Sequence, residues 1–196
     1  MKRHTLGIGH LFLALAIAVL ASQEARPEVD SSFGGDAEFS AAFSETQDGA
    51  DFIRITLRPE FEAFLTDRIR LAVSGRARVD VEDRIAPGRP DLSAYDSLSR
   101  PLQLGDAGIL ELRDAFIELD LDHFFIKAGK QQIVWGELEG FKILDEVNPQ
   151  SFREFILEDF DDSRIGLWSL SAEMELPSTP LGEWTAQAVW VPDTTV

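Results

Sequence analysis

The chain has 196 residues, a formal net charge of −17 and no cysteine. An excess of 35 acidic over 18 basic residues excludes electrostatic binding of nucleic acid, and the missing thiols exclude disulfides and thiolate metal sites. A hydrophobic fraction of 44% suits a globular core, and equally an alternating apolar band diluted by polar positions.

Lys2, Arg3 and His4 make a basic start, residues 6–20 are apolar, and Val19-Leu20-Ala21 offers the small residues that a signal peptidase needs. Residues 1–21 therefore read as a signal peptide cleaved after Ala21. An uncleaved anchor is the alternative, but 15 residues containing Gly7, Gly9 and His10 are short for a helical span, which needs about 20. Charges interrupt every later apolar run, so a mature chain in a membrane must cross it as strands. Loss of Lys2 and Arg3 takes the charge from −17 to −19. Only His123 of the three histidines then remains, too little for a histidine-based catalytic or zinc site.

Residues 22–34 are expected to form a periplasmic N-terminal segment. Seven strand candidates follow, at 35–44, 51–57, 68–81, 110–121, 124–135, 164–176 and 184–191. In the second, Ile53, Ile55 and Leu57 share one face and Phe52, Arg54 and Thr56 the other. The third is the clearest: every odd position from Ile69 to Val81 except Gly75 is apolar, and most even positions are charged or hydroxylated. Only a strand separates such a pattern onto two faces, and this one is longer than soluble strands usually are.

The fourth and fifth candidates read as a hairpin turning at Asp122-His123. That turn sets Leu121 against Phe124, Leu119 against Ile126 and Ile117 against Ala128, with Glu118 meeting Lys127 on the other face. In the sixth, Trp168, Leu170, Ala172, Met174 and Leu176 oppose Ser169, Ser171, Glu173 and Glu175. In the last, Trp184, Ala186, Ala188 and Trp190 alternate with Thr185 and Gln187. Trp168, Trp184 and Trp190, with Phe124, fall near strand ends, as an interfacial girdle or as the core of a soluble sandwich.

The connections at 82–107 and 136–163 are long, whereas those at Asp122 and at 177–182 are short, which is the alternation of an outer-membrane barrel. The second long loop is rich in acids, among them Asp159, Asp161 and Asp162. They read either as a solvated loop or as an irregular divalent-cation site, since the spacing is not that of an EF-hand. Asn148-Pro149 looks like a helix start, and Phe152, Phe155 and Ile156 recur at helical spacing. A short helix over 149–157 is thus expected, folded into the barrel mouth or lying on its rim. Arg54, Arg68, Arg70, Arg76 and Arg78, with Asp114, Glu118, Asp120 and Lys127, are the candidate lumen-lining residues. They would set a transverse field across a pore, or simply neutralise one another.

The stretch Gly129-Lys130-Gln131-Gln132-Ile133-Val134-Trp135-Gly136, followed by Val147-Asn148-Pro149, resembles a strand-to-loop signature of a family of proteobacterial outer-membrane barrel proteins of unsettled function. There a Gly-Lys/Arg-Gln strand ends in Trp-Gly and an Asn-Pro loop follows. The resemblance covers roughly residues 110–174 and implies a porin-like barrel without catalysis. Its motif positions here are Gly129, Lys130, Gln131, Trp135, Gly136, Asn148 and Pro149. Related barrels run longer, close with an even number of strands and end in an aromatic residue. Seven strands ending in Asp193-Thr194-Thr195-Val196 therefore lead us to expect a fragment, with residues 35–196 as the N-terminal part of a barrel.

The sequence-level expectation is an all-β, antiparallel, up-and-down transmembrane barrel in a Gram-negative outer membrane. Its partners would be outer-membrane lipid, lipopolysaccharide and the barrel-assembly machinery; it would need no cofactor and would pass a solute through a polar lumen. The rival is a secreted β-sandwich binding carbohydrate or calcium. An enzyme has little support: no phosphate loop, HExxH or nucleophile motif is present, and no two acids are singled out by spacing.

Overall fold

Alternation at period two runs through most of the chain, and it folds accordingly into one antiparallel sheet. The computed structural model describes residues 29–43, 50–80, 91–134, 147–151, 160–180 and 182–196. Its strands are β1 (Asp30–Phe43), β2 (Ala50–Thr66), β3 (Ile69–Asp80), β4 (Leu102–Leu104), β5 (Gly108–Leu121), β6 (Phe124–Gln131), β7 (Leu167–Thr179) and β8 (Gly182–Trp190). The order is β1-β2-β3-β5-β6-β7-β8, an up-and-down meander, with β4 paired to the start of β5. No pairing joins β1 to β8 among the described residues, so the sheet is open.

The tight turns after β2, β5 and β7 lie at one end of the sheet, and the connections after β1, β3 and β6 at the other. At the β5–β6 turn, Asp122 adopts a left-handed φ of 57°, which aspartate tolerates better than most side chains. Leu121 faces Phe124, Leu119 faces Ile126, Ile117 faces Ala128 and Glu118 faces Lys127, the register expected from the sequence.

Cross-strand partners share a face, so the register assembles two unlike surfaces. One row runs Ala63, Leu71, Ile117, Ala128, Leu170, Trp190 across six strands. A row on the opposite face runs Arg70, Glu118, Lys127, Ser171. Burial is inverted relative to a water-soluble sheet. On the apolar face Phe33 is 78%, Phe39 69% and Trp190 53% exposed, whereas Thr56, Arg76 and Asp80 on the polar face are each 3% exposed.

Several boundaries differ from the sequence expectation. β1 starts at Asp30, inside the stretch expected to precede the barrel. β2 runs on past Leu57 to Thr66 through Pro59, which is tolerated because the β2–β3 ladder skips from Leu57–Ala77 to Glu60–Ser74. Arg68 lies in the β2–β3 turn rather than in a strand. The eighth strand, β4, sits in a connection expected to be irregular. β6 ends at Gln131, and β7 begins at Leu167 with Arg164 in an isolated bridge to Gln150.

At 149–151 the backbone is extended rather than helical, with Gln150 bridged to Arg164, and the rest of the helix expected over 149–157 lies outside the described residues. The Asn148 side chain is spent elsewhere, accepting from the Ile133 amide at 3.2 Å and donating to the Ile133 carbonyl. Helical turns are described at α1 (Phe160–Ser163) and, as a 3-10 turn capped by Asp91, at Leu92–Ala94. The signal peptide expected over 1–21, together with Trp135, Gly136 and Asp159, lies outside the described residues.

Candidate functional site

The polar face is built by alternate residues of β2, β3, β5, β6 and β7, with one change of phase. Ser74 faces Asp114 but Gly75 faces Leu112, so Arg113 is an extra residue in β5, a β-bulge. Before it the outward apolar residues of β5 are Leu110 and Leu112; after it they are Ala115, Ile117, Leu119 and Leu121. The bulge therefore brings Glu111 onto the face that carries Asp114 and Glu118. Arg113 joins them there, with Arg76, Glu111, Asp162 and Asp114 as its charged neighbours.

Two charge clusters stand on this face. Toward the tight turns, Arg70 donates to both Glu62 and Glu118, and Lys127 lies 3.4 Å from Glu118. Phe116 forms an aromatic floor beneath them, its ring centroid 3.7 Å from the Lys127 ammonium and 5.7 Å from the Arg70 guanidinium. Ser74 donates to Asp114 at 2.8 Å. A cavity of about 320 Å³ opens here, lined by Ser32, Glu60, Glu62, Arg70, Asp114 and Phe116 among others.

Toward the long connections, Arg76 is buried and donates to Glu111 at 2.7 Å, with Arg78 3.9 Å from the same carboxylate. Arg58 reaches Asp36 at 2.8 Å and Glu38 at 2.9 Å on β1. A third carboxylate completes this group. Asp162 of α1 lies 2.9 Å from Arg58 and 3.9 Å from Arg76, and its backbone carbonyl accepts from Arg76 at 3.2 Å. α1 thus docks on β2 and β3 at the polar face.

Of the residues expected to line a lumen, Arg54, Arg70, Arg76, Arg78, Asp114, Glu118 and Lys127 share this face. Arg54 stands opposite Asp80, also on it. Asp120 is exposed near the tight turns, opposite Phe125. Arg68 is displaced to the turn, where it pairs with Asp122 of the neighbouring hairpin at 2.9 Å. Of the expected cation site, Asp159 lies outside the described residues, Asp162 is engaged by arginines, and no metal-holding group of acids and histidines occurs among the described residues.

The described residues of the strand-to-loop motif make close packing contacts and hydrogen bonds. Gly129 has φ 134°, and a Cβ there would stand 2.2 Å from the Ala115 carbonyl oxygen. Lys130 is buried with its ammonium 3.5 Å from the Ser99 carbonyl, and Gln131 donates to the carbonyls of Lys127 at 3.2 Å and Ser169 at 3.4 Å. Lys130, Gln131 and Asn148 together tie the end of β6 to its surroundings.

A second tie lies at the same end. Asp193 accepts from the Trp168 amide at 3.0 Å and from the Ser99 and Thr195 hydroxyls, and the Val196 amide donates to Ala94 at 2.9 Å. Partial burial pushes the Asp193 carboxyl up, but these hydrogen bonds, with that of the Thr195 amide, outweigh it and hold it below the usual carboxylate range.

The sequence reading did not single out Arg58, Glu111 and Arg113. The signal for Arg58 is that Thr56, Arg58, Glu60 and Glu62 continue the even-numbered polar set beyond Pro59. The signal for the other two is the switch of apolar positions from even to odd at Arg113-Asp114. The chain matches no protein-family model, no curated protein and no solved structure.

Proposed function

We propose that this chain is part of a transmembrane β-barrel of the Gram-negative outer membrane, and that it conducts polar solutes along its charged face in the manner of a porin. The inverted burial carries this reading: the exposed face bears Phe33, Phe39, Leu57, Trp184 and Trp190, while charges and hydroxyls fill the enclosed one. Water makes such a face unfavourable by roughly 25 cal/mol per Å² of apolar surface, whereas lipid removes the penalty. A sandwich would need a second sheet over the apolar face, and the described strands all belong to one.

Dimensions agree. β2 has 17 residues, β1 and β5 have 14 and β7 has 13, against the 9–11 or so that a tilted strand needs to cross a bilayer. From Trp168 to Leu176, opposite Trp184, the strand covers about 27 Å at roughly 3.4 Å per residue, close to the apolar band of such barrels, about 25 Å. The tight turns then face the periplasm and the long connections the exterior. Among the described residues β1 and β8 are unpaired at their outer edges, which is costly in lipid, so the proposed closure calls for additional strands, from a longer chain or from a second copy. Lipid, lipopolysaccharide and the barrel-assembly machinery follow as partners.

The test is gel mobility of the protein from isolated outer membranes, with and without boiling, followed by conductance in a planar bilayer. A boiling-dependent shift with stepwise conductance is expected. Recovery from the soluble periplasm as an unshifted band would overturn the membrane reading.

A further inference from the structure

The apolar face has a gap in its pattern at Gly75. Every other outward position of β3 from Ile69 to Val79 is apolar, and a Cβ at Gly75 would stand 3.8 Å from the Pro59 ring of β2. The sheet surface is therefore low there, with Phe61 and Val73 in the row toward the tight turns and Ala77 and Leu110 in the row toward the long connections. Ser97, Leu98 and Arg100, with Leu102 of β4, form a facing wall, and the space enclosed is a groove of about 560 Å³. Small-molecule sites span roughly 300–1,000 Å³.

That wall is pinned to the outer face. Lys130 stands opposite Ala115 and Trp168, so it belongs to the apolar face, and its ammonium lies 3.5 Å from the Ser99 carbonyl. The Trp168 indole donates to the Leu98 carbonyl at 3.2 Å, and the Ser99 hydroxyl donates to Asp193. A groove held this way is preorganised, which lowers the ordering cost of binding.

The lining is apolar except at one place. Leu98 and Leu102 are 66% and 62% exposed and face a surface that already bears exposed Phe33. Arg100 is the cationic side chain of the groove, is exposed, and makes no hydrogen bond or ion pair among the described residues. Glu60 and Glu111 border the groove, but alternation sets both on the polar face, where Glu60 stands opposite Gly34 and Ser74 and Glu111 accepts from Arg76.

Depth narrows the ligand. Trp168 marks the exterior end of the apolar band, and Arg100 lies two residues from the Leu98 carbonyl that Trp168 holds, at the level of lipid headgroups. A free guanidinium favours a phosphate there, because its planar donors match the oxygens in pairs. We infer that the groove binds a phosphorylated glycolipid of the outer leaflet, with an acyl chain along Phe33, Leu98 and Leu102 and a phosphate on Arg100. This inference rests on the membrane reading for the depth of Arg100, but not for the groove or its unpaired cation.

The experiment is equilibrium binding of radiolabelled diphosphoryl lipid A to the full chain purified in detergent, with dephosphorylated lipid A and inorganic phosphate as controls. Arg100→Gln should weaken binding of the diphosphoryl form about tenfold and leave the dephosphorylated form unchanged. Arg100→Lys should retain most of the affinity, and Val73→Trp, which fills the gap beside Gly75, should weaken both forms. Inorganic phosphate should not compete. Unchanged binding by an Arg100→Gln protein of unaltered circular dichroism overturns the inference, as does equal weakening of both lipids by that substitution. Competition by inorganic phosphate overturns it too, since free phosphate would then be the ligand. A protein that conducts in a bilayer but fails these tests loses the lipid site alone. Arg100-dependent binding by a protein recovered from the soluble periplasm would remove the barrel and leave the site standing.

Discussion

Asp162 and Arg58 are 104 residues apart in the chain and 2.9 Å apart in space. One comes from a helical turn between β6 and β7 and the other from the middle of β2. Their contact joins α1 to the sheet.

Arg76 is the buried arginine at this junction, so its loss should be felt most. Arg76→Ala leaves Glu111 enclosed without its closest cation, and a broken buried pair costs about 3–5 kcal/mol. Arg76→Lys keeps the charge but not the fork of donors, and should fall between. Denaturant titration of the three proteins in detergent is the check, and equal midpoints would show that Glu111 is stabilised elsewhere.

Gly129 and Asp122 both adopt positive φ, but for different reasons. Gly129→Ala drives a Cβ into the Ala115 carbonyl and should lose at least about 1–3 kcal/mol, disrupting β5–β6 pairing. Asp122→Asn keeps a side chain suited to that backbone and gives up only an exposed pair with Arg68. A change below about 1 kcal/mol is expected. Amide exchange in β6 separates the two.

Leu57 lies mid-strand on the exposed apolar face. Leu57→Arg should lower stability by about 2–4 kcal/mol when the protein is folded in lipid vesicles, because the charge enters hydrocarbon. A change of a few tenths in vesicles would contradict a lipid-facing Leu57. The same substitution in a water-exposed position would be nearly neutral.

The Asp193 tie should weaken in acid. Its carboxyl is held below the ordinary range in the folded chain, so its stabilisation is fully present above the unfolded value, about 3.9. It is lost as pH falls through the lower, folded value. Protection from amide exchange at Trp168 and Thr195, both of which donate to Asp193, taken relative to the intrinsic rate at each pH, should fall below about pH 4. Asp193→Asn should remove that pH dependence.

The β5–β6 hairpin was legible because everything that determines it is local. Apolar residues at period two set the faces, and two residues between them set the register. The β5 bulge was present in the sequence as a change of phase at Arg113-Asp114, but a strand read at one uniform period assigns Glu111 and Arg113 to the wrong side. β4, three residues long, carries too few alternations to register at all.

By itself, then, the sequence determined the strands and the composition of their two faces, since side-chain direction follows from backbone period over a few residues. The tertiary structure decided which face is enclosed, where the bulge lies and that Asp162 closes on Arg58. Those depend on how distant strands pair side by side and on where α1 docks, and no local period encodes either.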